Sequence, residues 1–216
     1  MKKRIFITAT NTDIGKTYTT KLLMRVLTKM GYKVGVIKPI ETGVTSNEYP
    51  DGDALLSLLK QLNPQADSLD VSDVVPVAYE IPAAPYVAGG FSRIDYGKID
   101  AAIKNQEILC DVLLIEGAGG LYVPIDKDRM MIDLIKQFDA TAILVTHCSL
   151  GCINDTLIHK KALDDMLIPN EIVFNCRDEE IESFEAISKP YFAKVFPEVF
   201  TTKELEKLAV KMGFSL

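Results

Sequence analysis

The segment Arg4-Ile-Phe-Ile-Thr-Ala-Thr-Asn-Thr-Asp-Ile-Gly-Lys-Thr17 joins a short apolar run to Gly-Lys-Thr, and apolar residues at helical spacing follow at once. A buried strand turning directly into a helix is the setting in which a glycine-containing loop binds phosphate. The helix N-terminus offers unpaired N–H groups, Lys16 can reach terminal phosphate oxygens, and the Thr17 hydroxyl can ligate Mg²⁺. The common G-x-x-x-x-G-K-[ST] pattern would place its first glycine at position 10, which is Thr10 here; Ala9 is not glycine either. A strand-turn-helix corner without a ligand is the alternative, and the strand and helix flanks favour the phosphate loop.

A metal held by one hydroxyl needs further oxygen ligands, and Mg²⁺ takes one or two carboxylates with phosphates and water. Glu116 closes the run Val112-Leu-Leu-Ile-Glu, so its carboxylate should emerge at the edge of a sheet where ligands bind. The following Gly117-Ala-Gly-Gly120 permits close approach to a ligand or simply forms a turn. Asp51 and Asp53 either complete the metal shell or cap the helix beginning near Ala54. Lys38, before Pro39, ends a second apolar run; it faces the anion held by the loop or is a solvated strand-end lysine. Gly151-Cys-Ile-Asn154 begins another helix, whose N-terminus could bind a carboxylate or be an ordinary capped start.

The elements that must position these groups are legible from apolar patterning. Near-continuous apolar runs at Arg4–Thr8, Lys33–Lys38, Val112–Glu116, Thr141–Thr146 and Glu171–Asn175 alternate with stretches long enough for helices. Burial on both faces with helical crossovers predicts an α/β fold: a mostly parallel sheet with helices on both faces. Leu22, Leu23, Val26, Leu27 and Met30 mark one amphipathic helix, stopped at Gly31. A second begins near Gly151, with the apolar Ile153, Leu157 and Ile158 on one side. A last helix starts near Thr201, with Thr201 and Glu204 at capping-box spacing and Phe200 able to staple onto Leu205. The stretch Val74–Gly90, with Pro76, Pro82, Pro85, Gly89 and Gly90, reads as an irregular loop outside any sheet.

The 216 residues, 48% hydrophobic and 25% charged, describe one folded domain spanning 1–216. A net charge of −6 argues against duplex nucleic acid and anionic membrane as partners. No apolar run approaches the roughly 20 residues of a membrane span, and no signal peptide is expected. Cys110, Cys148, Cys152 and Cys176 have neither paired spacing nor high density, which predicts reduced thiols, no disulfide and a cytoplasmic location. His147, Cys148 and Cys152 could supply three zinc ligands, with no fourth nearby.

Taken in order, these motifs resemble the dethiobiotin synthetase family, within the P-loop NTPase-like α/β fold. The resemblance reaches about Asn175 and rests on Thr10-Asn-Thr-Asp-Ile-Gly-Lys-Thr17, Lys38-Pro-Ile-Glu-Thr-Gly43, Asp53-Ala-Leu, Pro82-Ala-Ala-Pro85, Glu116-Gly-Ala-Gly-Gly120 and Leu150-Gly-Cys-Ile-Asn154. The family loop carries one extra residue, which accounts for Thr10; Ala9 stands at its first glycine. The resemblance implies an ATP-dependent ligase that closes the ring of 7,8-diaminononanoate with CO₂ through a carbamate and a carbamic-phosphoric anhydride. It implies ATP contacts at Asp13, Ile14, Gly15, Lys16, Thr17, Tyr18, Asp53, Glu116, Gly117, Ala118, Gly119, Asn175 and Cys176. Thr17, Asp53 and Glu116 would surround Mg²⁺; Lys16, Lys38 and Thr12 would serve the reaction; Thr12, Lys38 and Thr42 would contact the diamine or carbamate. A homodimer is also implied, with the substrate's carboxylate tail at Leu150, Gly151, Cys152, Ile153 and Asn154 of the neighbouring subunit.

Three departures qualify that picture. Ser149 stands where the family commonly has lysine, Asn175-Cys176 where many members read Asn-Asp, and the chain stops at Leu216 without the G-x-[IL]-P segment of the purine pocket. Weaker base contacts and relaxed nucleotide choice are therefore expected. A regulatory ATPase of the ParA/MinD kind shares the plan, but its loop carries a second lysine near the front, absent from Thr10–Ile14. A nucleotide-binding scaffold without activity is the third reading.

Overall fold

The computed structural model describes residues 2–46 and 48–215. Five of its strands are the apolar runs read from the sequence: β1 (Lys3–Ala9), β2 (Val34–Ile37), β5 (Val112–Gly120), β6 (Thr141–Thr146) and β7 (Asn170–Phe174). With the two-residue β8 (Phe200–Thr201) they form a parallel sheet in the order β2-β5-β1-β6-β7-β8. Continuous apolar runs are needed because alternate side chains enter two different cores. Ile5 and Ile7 face one side with Leu114, Ile143 and Val145, whereas Phe6 faces the other with Leu113, Ile115 and Leu144.

The first side is covered by α1 (Lys16–Lys29), α2 (Pro50–Leu62) and α10 (Leu205–Lys211), through Leu23, Leu27, Leu55, Leu59 and Leu208. The second is covered by α5 (Tyr96–Leu109), α6 (Met131–Gln137), α7 (Cys152–Asp165) and α9 (Lys189–Val195), through Ile99, Ile135, Leu163 and Phe192. Shorter helices α3 (Val71–Val74), α4 (Pro85–Ala88) and α8 (Ile181–Ser183) complete the set. The capping box of Thr201 and Glu204 is present, and Phe200 packs in the core that holds Leu205.

Three expectations are corrected. Val74–Gly90 is not devoid of sheet: β4 (Val77–Tyr79) pairs in parallel with β3 (Ile40–Thr42) as a separate ribbon, in register Ile40↔Val77 to Thr42↔Tyr79. Its prolines fall beside the strand, and Pro85 sits in the first turn of α4, where a missing N–H costs nothing. On α7 the buried face is Cys152, Thr156, Ala162 and Leu163; Ile153 and Leu157 are half-buried and Ile158 is exposed. The Thr146 and Thr156 hydroxyls, 2.9 Å apart, satisfy each other beneath that face, so burying a polar residue there carries no unpaired-group penalty.

The third correction concerns sulfur. Cys148 and Cys176 form a disulfide with Cα atoms 5.0 Å apart, against the expectation of free thiols. Strands β6 and β7 pair Thr146 with Phe174, and continuing two residues past each strand brings Cys148 beside Cys176. Lateral adjacency of parallel strands replaces the sequence proximity on which the expectation rested. Cys110 and Cys152 remain thiols, buried in the core, and burial pushes the Cys110 thiol up to about 11.

Candidate active site

At the carboxyl ends of β1, β2 and β5, a cleft of about 690 Å³ is lined by the loop before α1, by Lys38 and Thr42, by Asp51, and by Pro82–Pro85. Gly15 ends the loop at φ +98°, a left-handed conformation that lets the chain turn straight into α1. A Cβ on Gly15 would meet Asn175 Nδ2 at 2.1 Å, so glycine is also required by close approach. The Asn175 amide donates to the Ile14 carbonyl at 2.9 Å and ties the loop to the end of β7.

Lys16 is buried, and among the described residues its ammonium has a single hydrogen-bond acceptor, the Asn11 carbonyl at 3.3 Å. Burial and the neighbouring Lys38 charge bring its pKa down to about 8, partly offset by Glu116 and Asp51. An ammonium so poorly satisfied, beside the N-terminus of α1, is matched to an incoming anion.

Lys38 is paired instead. It follows β2 and is buried, donating to Asp51 Oδ2 at 2.5 Å and Glu116 Oε1 at 2.9 Å. Burial opposes its charge, but the two carboxylates outweigh that and raise its pKa above the ordinary lysine value. The solvated strand-end reading is thereby excluded. Asp51 is held below the usual carboxylate range, since the pull of Lys38 and Thr17 exceeds the opposing cost of burial.

Glu116 lies within β5, opposite Ile7 of β1, and is fully buried. Although β5 continues to Gly120, its last pair with β2 is Ile37↔Ile115, so Glu116 reaches the edge of the sheet beside Lys38. Its oxygens accept from Thr17 Oγ1 and Thr20 Oγ1, both at 2.7 Å, as well as from Lys38. Thr17 Oγ1 also lies 2.8 Å from Asp51 Oδ1, its one proton serving either carboxylate, so three oxygens converge: Thr17 Oγ1, Asp51 Oδ1 and Glu116 Oε1.

Asp53 is not part of this cluster. Its side chain is exposed and accepts from the Tyr49 N–H at 2.8 Å, the capping role. Two positions separate it from Asp51 on α2, about 200° around the helix axis, so only one of the pair can face Thr17. Thr12, Asp13, Gly15, Tyr18, Thr42, Ala118 and Gly119 line the cleft. Gly117 does not; a Cβ there would meet Phe6 Cε1 at 2.8 Å, so packing explains it.

None of Leu150–Asn154 lines this cleft. They form the entry to α7, with Gly151 at φ +101°, Cys152 buried, Asn154 exposed and Leu150 fully exposed. A second cavity, about 240 Å³, lies on the other side of the loop between Asp13, Ile14, His147, Asp155 and Asn175. Cys176 is committed to its disulfide, and His147 bonds to Ser149 and Asp155, which leaves no zinc constellation of His147, Cys148 and Cys152. Thr20 and Glu41 were not anticipated; Thr20 was discoverable as the residue one helical turn after Lys16.

Residues 3–207 match the model of a family described as an AAA domain. The chain is 42% identical over 206 residues to the ATP-dependent dethiobiotin synthetase of Sulfurovum sp. (strain NBC37-1), covering 95% of this chain and 97% of that one. It is 38% identical over 210 residues to the synthetase of Wolinella succinogenes, covering 95% and 96%. Among solved structures, a plasmid partition protein of Borrelia burgdorferi aligns with TM-score 0.57 at 11% identity over 98% of this chain and 99% of that one. The MinC:MinD cell division complex of Aquifex aeolicus gives 0.53 at 15% over 97% and 88%. At such identities the structural likeness speaks for the fold alone. Full-length identity to the synthetases, joined to the lysine and carboxylate cluster at the sheet edge, establishes that the chain belongs to the ATP-dependent dethiobiotin synthetase family, ligases of biotin synthesis.

Proposed function

We propose that the cleft carries out the full synthetase reaction on 7,8-diaminononanoate, CO₂ and ATP. One amine of the diamine adds to CO₂ and loses a proton to give a carbamate. A carbamate oxygen attacks the γ-phosphorus and ADP leaves. The second amine then attacks the carbonyl of the mixed anhydride, and phosphate departs as the ring closes. The observation that carries this reading is Lys38, buried and held charged at the end of the sheet beside the phosphate loop. Phosphoryl transfer requires positioning and fixed positive charge rather than a covalent nucleophile.

Lys16 and the N-terminal N–H groups of α1 bind the ATP phosphates. Lys38, kept protonated, stabilises charge on the carbamate and the transferring phosphoryl group and is unsuited to act as a base. Thr12 and Thr42, both lining the cleft, orient the diamine. The convergent oxygens of Thr17, Asp51 and Glu116 suit a hard divalent cation, and we assign Mg²⁺ to them, with Asp51 in the place expected of Asp53. When bound there the ion supplies Lewis acidity toward the phosphate oxygens.

Asn175 uses its amide on the loop carbonyl, which supports loose recognition of the nucleotide base. Initial rates with ATP, GTP and CTP test this, and a strong ATP preference would sink it. Exposed Leu150, just before α7, and exposed Ile158 on it support pairing of two copies and a tail site shared between them. We place the reaction in the cytoplasm on its need for ATP alone, the free-thiol argument having fallen with the Cys148–Cys176 bond; among the described residues no helix is long and apolar enough to cross a membrane.

The decisive experiment follows phosphate release with Mg²⁺ and bicarbonate, with and without 7,8-diaminononanoate, together with the product's mass. Diamine-dependent release and a cyclic urea are expected. Hydrolysis indifferent to the diamine would favour a regulatory ATPase instead.

A further inference from the structure

Glu116 lies in β5 and Lys38 directly follows β2, and Thr17 is in the first turn of α1, next to the loop that Asn175 ties to the end of β7; Asp51 sits in the first turn of α2, which follows a loop. A carboxylate in a helical first turn is only as well placed as that turn. The N-cap residue Tyr49 contributes no side-chain cap, and Pro50 has no N–H to satisfy. The Tyr49 N–H is taken by Asp53 Oδ2, and the Asp53 N–H returns to the Tyr49 carbonyl at 2.7 Å. The two remaining donors, Asp51 N and Gly52 N, go to Glu41: Oε1 accepts the first at 2.8 Å and Oε2 the second at 3.0 Å.

Glu41 is in β3, three residues after Lys38, and is only 3% exposed. Its approach requires glycine at the next helical position. A Cβ on Gly52 would lie 3.0 Å from Glu41 Oε2 and 2.5 Å from Val75 Cγ2. An anion receiving both N–H groups at a helix start also gains from the helix dipole. Burying a carboxylate is costly without such partners, so the arrangement needs an explanation. The direct consequence of this contact is the placement of Asp51 against Thr17 and Lys38.

We propose that Glu41 is a positioning residue of the reaction: with one oxygen on each N–H, it locks the first turn of α2 and so sets the Asp51 carboxylate in the metal-binding cluster. The proposal rests on the assignment of Asp51 to that cluster. Outer partners of metal ligands commonly change metal affinity by about 10–100-fold.

The test is a double-mutant cycle of Glu41→Ala and Asp51→Asn, read by calorimetric Mg²⁺ dependence of ADP binding and by the Mg²⁺ titration of turnover. Each single change should raise the half-saturating Mg²⁺ concentration about tenfold or more. The double variant should be scarcely worse than Asp51→Asn alone, because Glu41 acts through Asp51. Glu41→Gln keeps one acceptor oxygen and should recover part of the loss; it also serves if Glu41→Ala fails to fold. A wild-type titration in both Glu41 variants, or full additivity with Asp51→Asn, overturns the proposal. If Asp51→Asn itself leaves Mg²⁺ dependence unchanged, the metal assignment fails first, and the proposal with it.

Discussion

Replacing Lys38 by methionine removes the charge at the centre of the cluster while preserving most of the side chain's volume. Lys38 and Glu116 are 5% and 0% exposed in their side chains, and Asp51 is 39% exposed. Without the ammonium, Glu116 keeps, among the described residues, the Thr17 and Thr20 hydroxyls, and it faces the like charge of Asp51 across Thr17. Removing one partner of a buried ion pair costs about 3–5 kcal/mol. Solvent screens the share of Asp51, so the low end, about 3 kcal/mol, applies. For a chain of this length that corresponds to a Tm lower by about 6–12 °C in chelator. Mg²⁺ should raise the Tm of the variant more than that of wild type, since a cation then replaces the missing one. Turnover should fall by about 10²–10³ or more through loss of a preorganised charge. Melting curves in chelator and in Mg²⁺, with single-turnover phosphate release, provide the readings. A Tm within about 2 °C of wild type in chelator, or turnover within about threefold, would refute the reasoning.

Severing the disulfide by Cys148→Ser with Cys176→Ser opens a link spanning 28 residues, a loop whose closure entropy corresponds to about 3–4 kcal/mol. Urea melts of the oxidised wild type should show that difference, and an unchanged midpoint would argue against the bond. Asp126, whose carboxylate accepts from Tyr96 Oη at 2.5 Å and Asp128 N at 2.8 Å, is held below its usual range because these donors outweigh burial. Its stabilisation is present above the unfolded value of 3.8 and is lost as pH falls through the lower folded value. Asp126→Asn should therefore cost about 1.5–3 kcal/mol at pH 7 and progressively less toward pH 2, and a pH-independent deficit would contradict this. Leu150→Glu should shift sedimentation toward monomer and raise the KM for the diamine; a dimer that survives the change with unaltered KM would count against the proposed pairing.

The phosphate loop was legible because its determinants are local. Gly15, Lys16 and Thr17 are consecutive, the preceding run is apolar, and a helix start presents its N–H groups wherever it occurs. The sheet was legible for a similar reason: residues buried on both faces leave no alternation, and the intervals between runs admit helices. The β3–β4 ribbon was hidden because its three-residue strands carry too little pattern to stand out among prolines. The buried face of α7 was hidden because a polar Thr156 lies inward, where Thr146 satisfies it.

By itself, then, the order of residues determined the fold class, the phosphate loop and the family, all of which depend on contiguous or periodic signals. Tertiary structure decided which of Asp51 and Asp53 joins Thr17, since about 100° of helix per residue turns one inward and the other outward. It decided that Glu41 would clasp a helix ten residues away, and that Lys38 would be buried between two carboxylates rather than solvated. The Cys148–Cys176 bond is of the same kind. Its two residues meet because parallel pairing sets β7 beside β6 with an offset of 28 positions, and that register arises from packing across the whole sheet.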